Sequence, residues 1–429
     1  MHIRYVESEL QLLHAMVKLV GEAWDVDILV GFESQREAWG YLVQRADIKY
    51  SFNLCAYMSR TPNEGKNTGK REDDEYGFNR GSGVHVNGRY TISVWQTANS
   101  ALSLYNTSYE YVVLEVLKRQ TPKYLPGDLT RWYRGIGTVG PYLTRWRTLM
   151  YRLDKATNNL DILEKLNFIG QTSEEARVYG CQFYDVYIRG SQFKVEAMLA
   201  RMTQTLGFIM PSPTPAEVQQ QVPLQEIALN LEPQGIALNS QAQSGLYVNP
   251  VLVLDFQSLY PSLMIAYNLC YSTCLGRIAN LERPDGKLGP FIYDPPANLV
   301  QNFKENVLVT PNGVMFVKPE VRRGVLPRLM KEILSTRVMV KNSMKRYRDT
   351  DAVKHGILHN RQYALKMIAN VTYGYTSASY SGRMPCADIA DSIVSNRPFG
   401  ITALTTGLHS YASSNAVTYN HVSTSKSEV

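Results

Sequence analysis

An apolar run that ends in a carboxylate is the first part of the chain with the chemistry of a reactive site. Residues 251–254 are β-branched or aliphatic, which is typical of a strand buried on both faces. Asp255 follows directly, and a carboxylate at that place is costly to desolvate unless a cation offsets its charge. A divalent metal ion does so well, although a core strand with a capping aspartate is the simpler alternative. Pro261 then suits the first position of a helix, where its missing N–H costs nothing.

Cationic and amide side chains recur farther along at helical spacing. An apolar stripe predicts a long helix that starts near residue 325, and its members are Leu326, Leu329, Met330, Ile333, Leu334, Val338 and Met339. Arg337 and Lys341 are four residues apart, so we place them together on the face opposite this stripe. Lys366 and Asn370 have the same spacing on a second predicted helix, about 361–373. Two antiparallel helices with these pairs turned inward would form a cationic cradle, whereas for the first pair alone a solvated face is the favoured interpretation.

These stretches resemble two motifs of family B DNA polymerases. Residues 255–262 are similar to the first palm motif, DxxSLYPS, and residues 366–374 are similar to the fingers motif, KxxxNSxYG, with Val371 where serine is usual. Two such motifs in this order, roughly a hundred residues apart, are a specific signal. The strings RVYGCQFYDVYIRGSQFKVE at 177–196 and MPCADIADSIV at 384–394 resemble the translesion branch of that family. The resemblance covers roughly residues 9–395.

The resemblance implies a role for each matching residue. In the family, the aspartate at the place of Asp255 binds two Mg²⁺ ions, and the backbone carbonyl at the place of Phe256 is a further ligand. The tyrosine at the place of Tyr260 packs under the sugar of the incoming nucleotide and excludes a 2′-OH, and that at the place of Tyr373 stacks under the new base pair. The implied nucleotide-binding residues are Ser258, Leu259, Tyr260, Arg337, Lys341, Lys366, Asn370 and Tyr373. The implied catalytic residue is Asp255.

The N-terminal part resembles the proofreading exonuclease domain of the family, with two of its metal-binding positions altered. The second exonuclease motif aligns with residues 31–38, so its aspartate falls on Ala38. The third aligns with residues 151–156, and its aspartate falls on Lys155. Two-metal hydrolysis needs several carboxylates, and neither alanine nor lysine supplies one. We therefore predict no exonuclease activity, unless a register shift by one residue brings Asp154 into the site.

The resemblance implies a multidomain α/β (α+β) fold: an RNase H-like exonuclease domain, a partial palm and helical fingers. The predicted domains are an exonuclease-like domain at 1–205, degenerate and incomplete at its N-terminus, a linker at 206–246, the first part of the palm at 247–324, fingers at 325–375, a palm return at 376–395 and a divergent, disordered tail at 396–429. A strand is predicted over 90–95 and helices over 109–117 and 149–166. No YGDTDS-like motif, which supplies the second palm aspartate in the family, occurs in the sequence. Asp388 and Asp391 follow the fingers motif, but we expect them to cap a helix or face solvent.

Composition fits an intracellular protein with a polyanionic partner. The formal net charge is +7, and the five cysteines are scattered. Cys270 and Cys274 could share a helix face, but no second pair completes a metal site, so we expect core thiols. The resemblance implies Mg²⁺, primer-template DNA, deoxynucleoside triphosphates, accessory subunits, a nuclear location and no membrane. The family's C-terminal cysteine-ligated metal cluster lies outside this chain.

The function predicted from these observations is DNA-directed DNA synthesis of the translesion type. Because only one palm carboxylate is recognised, we expect that this chain is an incomplete, inactive fragment. Two alternatives stay open: a non-catalytic fragment that binds nucleotide or nucleic acid, and a fragment of a replicative polymerase of the same family. The altered exonuclease positions argue against the replicative alternative.

Overall fold

The computed structural model describes residues 4–61, 83–136, 140–214, 216–217, 258–279, 287–288, 291–292, 304–377 and 383–396. The chain divides into two compact units, Met1–Gly190 with Val353–Ala364, and Ser191–Ala352 with Leu365–Val429. Asp255, Phe256 and the strand predicted before them lie outside the described residues. So do most of the predicted linker and residues 397–429 of the predicted tail.

The first unit is mostly helical. Its helices are α1 (Glu9–Lys18, followed by a π-helical turn, Leu19–Ala23), α2 (Trp39–Tyr50), α3 (Leu54–Met58), α4 (Val94–Ala101), α5 (Tyr109–Leu117), α6 (Pro126–Tyr133), α7 (Pro141–Lys165), α8 (Phe168–Tyr179) and α9 (Phe183–Ile188). Its strands, β1 (Ile28–Gly31) and β2 (Tyr90–Ser93), pair in parallel with Ile28 opposite Tyr90 and Gly31 opposite Ser93.

Side-chain hydrogen bonds fix the ends of the parallel strand pair. The Ser34 hydroxyl donates to the Ile92 carbonyl at 3.0 Å, and the Ser93 hydroxyl donates to the Phe32 carbonyl at 3.0 Å. The predicted strand over 90–95 is two residues too long, because Val94 already begins α4 and is buried on its inner face. The core beside this pair consists of Phe32, Ile92, Val94, Ala98, Tyr109, Val112, Val113, Val116, Ile162 and Leu163.

Two helices of this unit were predicted with different success. Helix α5 has the predicted bounds, 109–117, and its N-terminal residue Tyr109 is buried. Helix α7 starts eight residues before the predicted position, because Gly140 and Pro141 form its start. Proline at the first helical position loses no hydrogen bond, and this start signal was overlooked in the sequence.

The second unit combines helices with small sheets. It contains α10 (Ser191–Leu206), α11 (Leu259–Ala266), β3 (Cys274–Arg277), β4 (Lys287–Leu288), β5 (Phe291–Ile292), a 3₁₀ turn (Lys304–Asn306), β6 (Val307–Val309), β7 (Val314–Val317), α12 (Val325–Tyr347), the last twelve residues of α13 (Ala352–Thr376) and α14 (Ala387–Ser395). Strand β7 lies between β3 and β6 and is antiparallel to both, with an irregularity between Cys274 and Gly276. The mixture of helices and small sheets confirms the predicted α/β (α+β) class.

A buried asparagine joins the end of α11 to the start of α12. Asn268 adopts a left-handed φ of 54°, and its amide donates to the carbonyls of Val317 and Arg322, both at 2.8 Å. Its side-chain oxygen accepts a hydrogen bond from the Gly324 N–H at 2.9 Å. A Cβ on Gly324 would come within 2.7 Å of the Cys270 Cβ, so glycine permits this close approach.

The cysteines of this unit do not share a helix face as their spacing suggested. Cys270 follows the end of α11, and Cys274 begins β3. Both are buried, in agreement with the core role that we favoured. Within the described part of the chain, no helix is long and apolar enough to cross a lipid bilayer.

Candidate nucleotide-binding site

The motif that starts the predicted site forms the beginning of α11. Ser258 precedes the helix with φ 57° and ψ 53°, a left-handed conformation that is uncommon for residues other than glycine. Its carbonyl accepts a hydrogen bond from the Ser262 N–H at 2.9 Å. Pro261 is the third helical residue rather than the first as predicted, but it still lies in the first turn, where N–H groups lack intrahelical partners. Leu259 is the first residue of this helix.

Two tyrosines from separate motifs stack on each other. The rings of Tyr260 on α11 and Tyr373 on α13 have centroids 4.4 Å apart and an angle of 15° between their planes. Burial raises the pKa of Tyr373 to about 12, with smaller contributions from the neighbouring Tyr260 and the charge of Asp391. Tyr373 is therefore neutral at physiological pH, and the pair forms a flat aromatic surface.

Helix α13 carries its polar motif residues on the same face as Tyr373. Lys366, Asn370 and Tyr373 follow the spacing i, i+4, i+7, so they fall within a narrow arc of the helix. Lys366 and Asn370 are exposed, whereas Ile368 and Ala369 between them are buried. The face that leads to the stacked tyrosines therefore offers one ammonium and one amide to a ligand. A Cβ on Gly374, the last residue of the motif, would meet only open space.

Arg337 lies on a different face of α12 from the predicted one. The buried stripe comprises Leu326, Leu329, Met330, Ile333 and Val340, whereas Val338 and Met339, which we had included in it, are 51% and 60% exposed. Arg337 lies between Ile333 and Val340 at helical spacing and is half-buried on this face. The reason is that the stripe continues in steps of four and three residues through position 337.

One buried atom of Arg337 has no partner in the part of the chain that the structure describes. Its Nε is buried and has no hydrogen-bond partner among the described residues. A buried unpaired donor is costly, so this atom favours a ligand that accepts a hydrogen bond. Lys341, one turn farther along, is exposed. That Arg337 and Lys341 converge with Lys366 and Asn370 on one concave surface stays a prediction.

Two aspartates that we expected at a helix end or in solvent are buried in the second unit. Asp388 and Asp391 on α14 are 1% and 0% exposed. The Arg277 Nε donates to Asp388, and the terminal nitrogen Nη2 of Arg277 lies 3.7 Å from an Asp391 carboxylate oxygen. The prediction was wrong because α14 is buried on nearly all sides, and a guanidinium from β3 offsets the carboxylate charge.

The described residues do not offer a metal site of their own. No group of three or more His, Cys, Asp or Glu side chains suited to a metal ion occurs among them. Asp388 and Asp391 face an arginine, which repels a cation, so they do not suit Mg²⁺. The predicted ligands Asp255 and Phe256 lie outside the described residues, and their role stays a prediction.

At the positions that resemble the exonuclease motifs, the structure has a half-buried lysine next to two tyrosine rings. Lys155 on α7 is half-buried, and its Nζ lies 4.4 Å from the ring centroid of Tyr109 and 5.7 Å from that of Tyr151. Burial lowers the pKa of Lys155, while nearby glutamate charges oppose the shift. Asp154 is exposed, one position around the helix. Ala38 precedes α2 and lies close to Gly31, where an added Cβ would be 2.9 Å from the Ala38 Cβ.

Sequence reasoning missed two polar residues that hold the second unit together. Asn268 had no signal except its position after an apolar helix. Glu196 accepts hydrogen bonds from the Tyr375 hydroxyl at 3.3 Å and from the Arg383 N–H at 2.7 Å. It is the last residue of the 177–196 string that carried the resemblance, but its partners are more than 170 residues away in sequence.

Comparison with known protein families defines the class. The family model "DNA polymerase family B" matches residues 181–420, which is more than half of the chain. This chain belongs to DNA polymerase family B. The match continues past residue 395, where we expected the resemblance to end.

Within this family, the chain is similar in sequence to the catalytic subunits of two eukaryotic polymerases. The chain is 42% identical to the DNA polymerase zeta catalytic subunit of Homo sapiens, over 92% of this chain and 12% of that protein. It is 37% identical to the same subunit of Saccharomyces cerevisiae, over 91% of this chain and 25% of that protein. The DNA polymerase delta catalytic subunit of Drosophila melanogaster is 32% identical, with coverage of 90% and 32%.

A solved structure has the same fold. It is that of the family B DNA polymerase from the archaeon Pyrobaculum calidifontis, with a TM-score of 0.60 and 25% identity over 97% of this chain and 46% of that one. The chain therefore spans less than half of each of these relatives. Family B DNA polymerases generally depend on divalent metal ions, and their activity implies template-primer DNA and nucleoside triphosphates as ligands.

Proposed function

We propose that this chain supplies the nucleotide-binding part of a translesion DNA-directed DNA polymerase similar to polymerase zeta. The observation that carries the proposal is the stack of Tyr260 on Tyr373, in line with Lys366 and Asn370 on one face of α13. The two motifs are more than a hundred residues apart in sequence, and helix packing alone does not require a tyrosine stack next to an exposed lysine and asparagine. A nucleotide paired with a template base does require such a surface, because the base pair needs a flat ring and the phosphates need a cation.

The chain's own side chains would position the nucleotide. Lys366 would contact the phosphates as a point charge, and the unpaired Nε of Arg337 would donate to a phosphate oxygen. The stacked ring of Tyr260 would leave no room beside the sugar for a 2′-OH, which favours deoxynucleotides. Lys341 and Asn370 would complete the set, with Ser258 and Leu259 as the turn that presents Tyr260.

Metal chemistry would depend on the segment just before α11. We propose that Asp255 and the Phe256 carbonyl hold Mg²⁺, which in two-metal sites stabilises the attacking and leaving oxygens of the transfer. Asp255 is the one carboxylate that a recognised palm motif supplies, and two divalent ions close together need more than one. Residues 1–429 alone are therefore expected to bind nucleotide weakly and not to extend a primer. Primer-template DNA, accessory subunits and a nuclear location belong to this proposal.

Nucleotide titration of the full 429-residue chain tests the site. Lys366→Ala should weaken binding of a fluorescent deoxynucleoside triphosphate roughly tenfold to a hundredfold, because a charge-assisted hydrogen bond is lost. Lys331→Ala is the matched control, since Lys331 is an exposed lysine on α12 outside the motif positions. Equal affinity of both variants would contradict the proposed site.

Sugar discrimination and primer extension complete the test. Tyr260→Ala should bind ribo- and deoxynucleotides alike, whereas Tyr260→Phe should keep the preference because it keeps the ring. A primer-extension assay separates the enzyme from the alternative, a non-catalytic nucleotide-binding fragment. Extension by the isolated chain that is lost in Asp255→Ala would show that an unrecognised carboxylate completes the site.

A further inference from the structure

The segment at residues 118–152 is strongly basic and rich in aromatic residues. It contains eight Lys or Arg side chains and one acidic side chain, Asp128, so its formal net charge of +7 equals that of the entire chain. Six tyrosine or tryptophan residues are interspersed among these cations. Cations interspersed with aromatic rings are typical of surfaces that bind single-stranded nucleic acid.

Most of these cations have no acidic partner within the described part of the chain. Three of the eight form ion pairs with nearby carboxylates. The five that form no ion pair with a described residue are Lys123, Arg134, Arg145, Arg147 and Arg152. All five are exposed, so their charge is available to an anionic ligand. A merely solvated basic surface would leave such side chains without fixed positions.

Arg147 is fixed beside two aromatic rings. Its guanidinium carbon lies 4.8 Å from the centroid of the Trp132 ring and 5.1 Å from that of the Tyr124 ring. The two rings are themselves 4.9 Å apart, at an angle of 73°. A terminal nitrogen of Arg147 donates to the Tyr124 hydroxyl at 2.8 Å. That hydrogen bond uses one of five N–H donors, so the exposed guanidinium still has donors for a phosphate.

Arg145 fixes the end of α6 to the first turns of α7. It precedes Arg147 by two residues, so the two guanidinium groups leave the helix on different sides. The Arg145 Nε donates to the Tyr133 carbonyl at 2.8 Å. Tyr133 at the end of α6 and Tyr142 at the start of α7 are 58% and 75% exposed. Aromatic rings and cations are therefore held in place before any ligand binds, which lowers the entropic cost of binding.

We propose that the α6–α7 surface, formed by Tyr124, Trp132, Tyr133, Arg145 and Arg147, binds single-stranded nucleic acid without sequence preference. Bases would stack on the rings, and phosphate oxygens would accept hydrogen bonds from the guanidinium groups. In a duplex the base faces are covered by neighbouring base pairs, so a duplex could use only the cations. The surface lies wholly in the first unit and shares no residue with the proposed nucleotide-binding site.

The rings and the nearby acidic residues narrow the choice of ligand. An acidic protein segment would pair with the cations but has no need of exposed aromatic faces, so the rings favour a nucleic acid strand. Asp154 is exposed about two turns after Arg147, and Asp161 is paired with Arg119 at 2.7 Å. Because an exposed carboxylate repels phosphates, the strand would follow α6 and the start of α7 rather than the whole of α7.

Binding of a fluorescently labelled oligothymidylate of about 12 nucleotides to the full 429-residue chain tests the surface. Arg147→Gln should weaken binding roughly tenfold and reduce the slope of log K against log salt concentration by about 0.7, because one phosphate contact is lost. Arg177→Gln is the matched control, since this side chain is 72% exposed on α8, outside the surface, and the change should leave both values as they are. Equal effects of the two variants would overturn the proposal.

Trp132 separates stacking from charge. Trp132→Leu should weaken binding of the oligothymidylate roughly tenfold without changing the salt slope, because stacking on a ring releases no counterions. Trp132→Tyr keeps an aromatic ring and should restore most of the affinity. If Trp132→Tyr binds as weakly as Trp132→Leu, base stacking on this residue is refuted.

Two competing ligands and one independent titration complete the test. Arg147→Gln should weaken binding of a duplex of the same length less than binding of the single strand, and an equal loss would overturn the single-strand assignment. A polyglutamate peptide that binds as tightly as the oligothymidylate, and loses affinity in Arg147→Gln, would show that the surface takes an acidic protein segment instead. Deoxynucleoside triphosphate affinity of Arg147→Gln should equal that of the unmodified chain, so failure of this proposal is distinguishable from failure of the nucleotide-binding site.

Discussion

Removing the guanidinium of Arg277 should uncouple α14 from the rest of the second unit. Arg277 is the cation that faces Asp388 and Asp391, and these carboxylates are 1% and 0% exposed. Arg277→Met keeps the length of the side chain but removes the cation that faces two buried carboxylates. Breaking a buried ion pair by removing one partner costs about 3–5 kcal/mol. We expect a loss of this size in the local stability of α14.

Native-state hydrogen exchange measures this loss where it occurs. The amides of α14 should exchange faster in Arg277→Met by a factor that corresponds to about 3–5 kcal/mol of opening free energy. Arg328→Met is the matched control, because the Arg328–Glu332 pair is 55% exposed on both sides and an exposed pair contributes at most about 1 kcal/mol. Its effect should be confined to α12 and small.

A compensated variant separates charge from packing. If the cost arises from carboxylates that have lost this cation, then Asp388→Asn with Asp391→Asn should recover most of the lost stability in the Arg277→Met background, since both buried negative charges are then removed. A loss below about 1 kcal/mol in Arg277→Met would refute the reasoning. So would a triple variant that is no more stable than Arg277→Met alone, since the effect would then come from lost contacts of the arginine stem.

Three further predictions concern other parts of the chain. Arg45 and Lys49 hold the pKa of Glu9 at about 2, so the contact between α1 and α2 should be complete above about pH 4.5 and be lost as the pH falls towards 2. Amide exchange of α1 measures this pH dependence. Glu9→Gln should abolish it, and Glu7→Gln should not. Burial raises the pKa of the Cys55 thiol to about 11 and that of Cys386 to about 12, so iodoacetamide should alkylate the partly exposed Cys181 well before them, as read by peptide mass spectrometry. The full chain should not degrade labelled single-stranded DNA with Mg²⁺ or Mn²⁺; degradation that Asp154→Ala abolishes would show that the exonuclease motif has shifted by one residue.

Local sequence signals predicted the elements that carry the site, because helical periodicity and motif spacing are properties of short segments. Helix α12 starts where the apolar stripe predicted it, and α13 includes the predicted segment 361–373 but begins nine residues earlier, at Ala352. The face of Arg337 was wrong, since periodicity alone does not tell whether a stripe ends or continues through a long amphipathic side chain. The structure resolves this choice: Val338 and Met339 are exposed and Val340 is buried.

Long-range polar pairing could not be predicted from the sequence. The partners of Asp388 and Asp391 come from β3, 111 residues before Asp388, and no local pattern marks Arg277 as their counter-ion. In the same way, the side-chain amide of Asn268 links the end of β7 to the connection that leads into α12. Such contacts depend on which distant segments pack together in the folded chain. The periodicity of a single sequence carries no information about that packing.

The Arg277 cluster also bears on where the second metal-binding carboxylate of a polymerase site could come from. Asp388 and Asp391 are the aspartates that follow the fingers motif, and Asp391 is near enough to raise the pKa of Tyr373. Because one guanidinium faces both carboxylates in the interior, recruiting either of them to a metal ion would disturb a buried ion pair, and breaking such a pair costs about 3–5 kcal/mol. The carboxylates of Asp388 and Asp391 therefore contribute to the contact between α14 and β3. If the proposed nucleotidyl transfer occurs with Asp255 as one ligand, we expect its second carboxylate to be a residue other than these two.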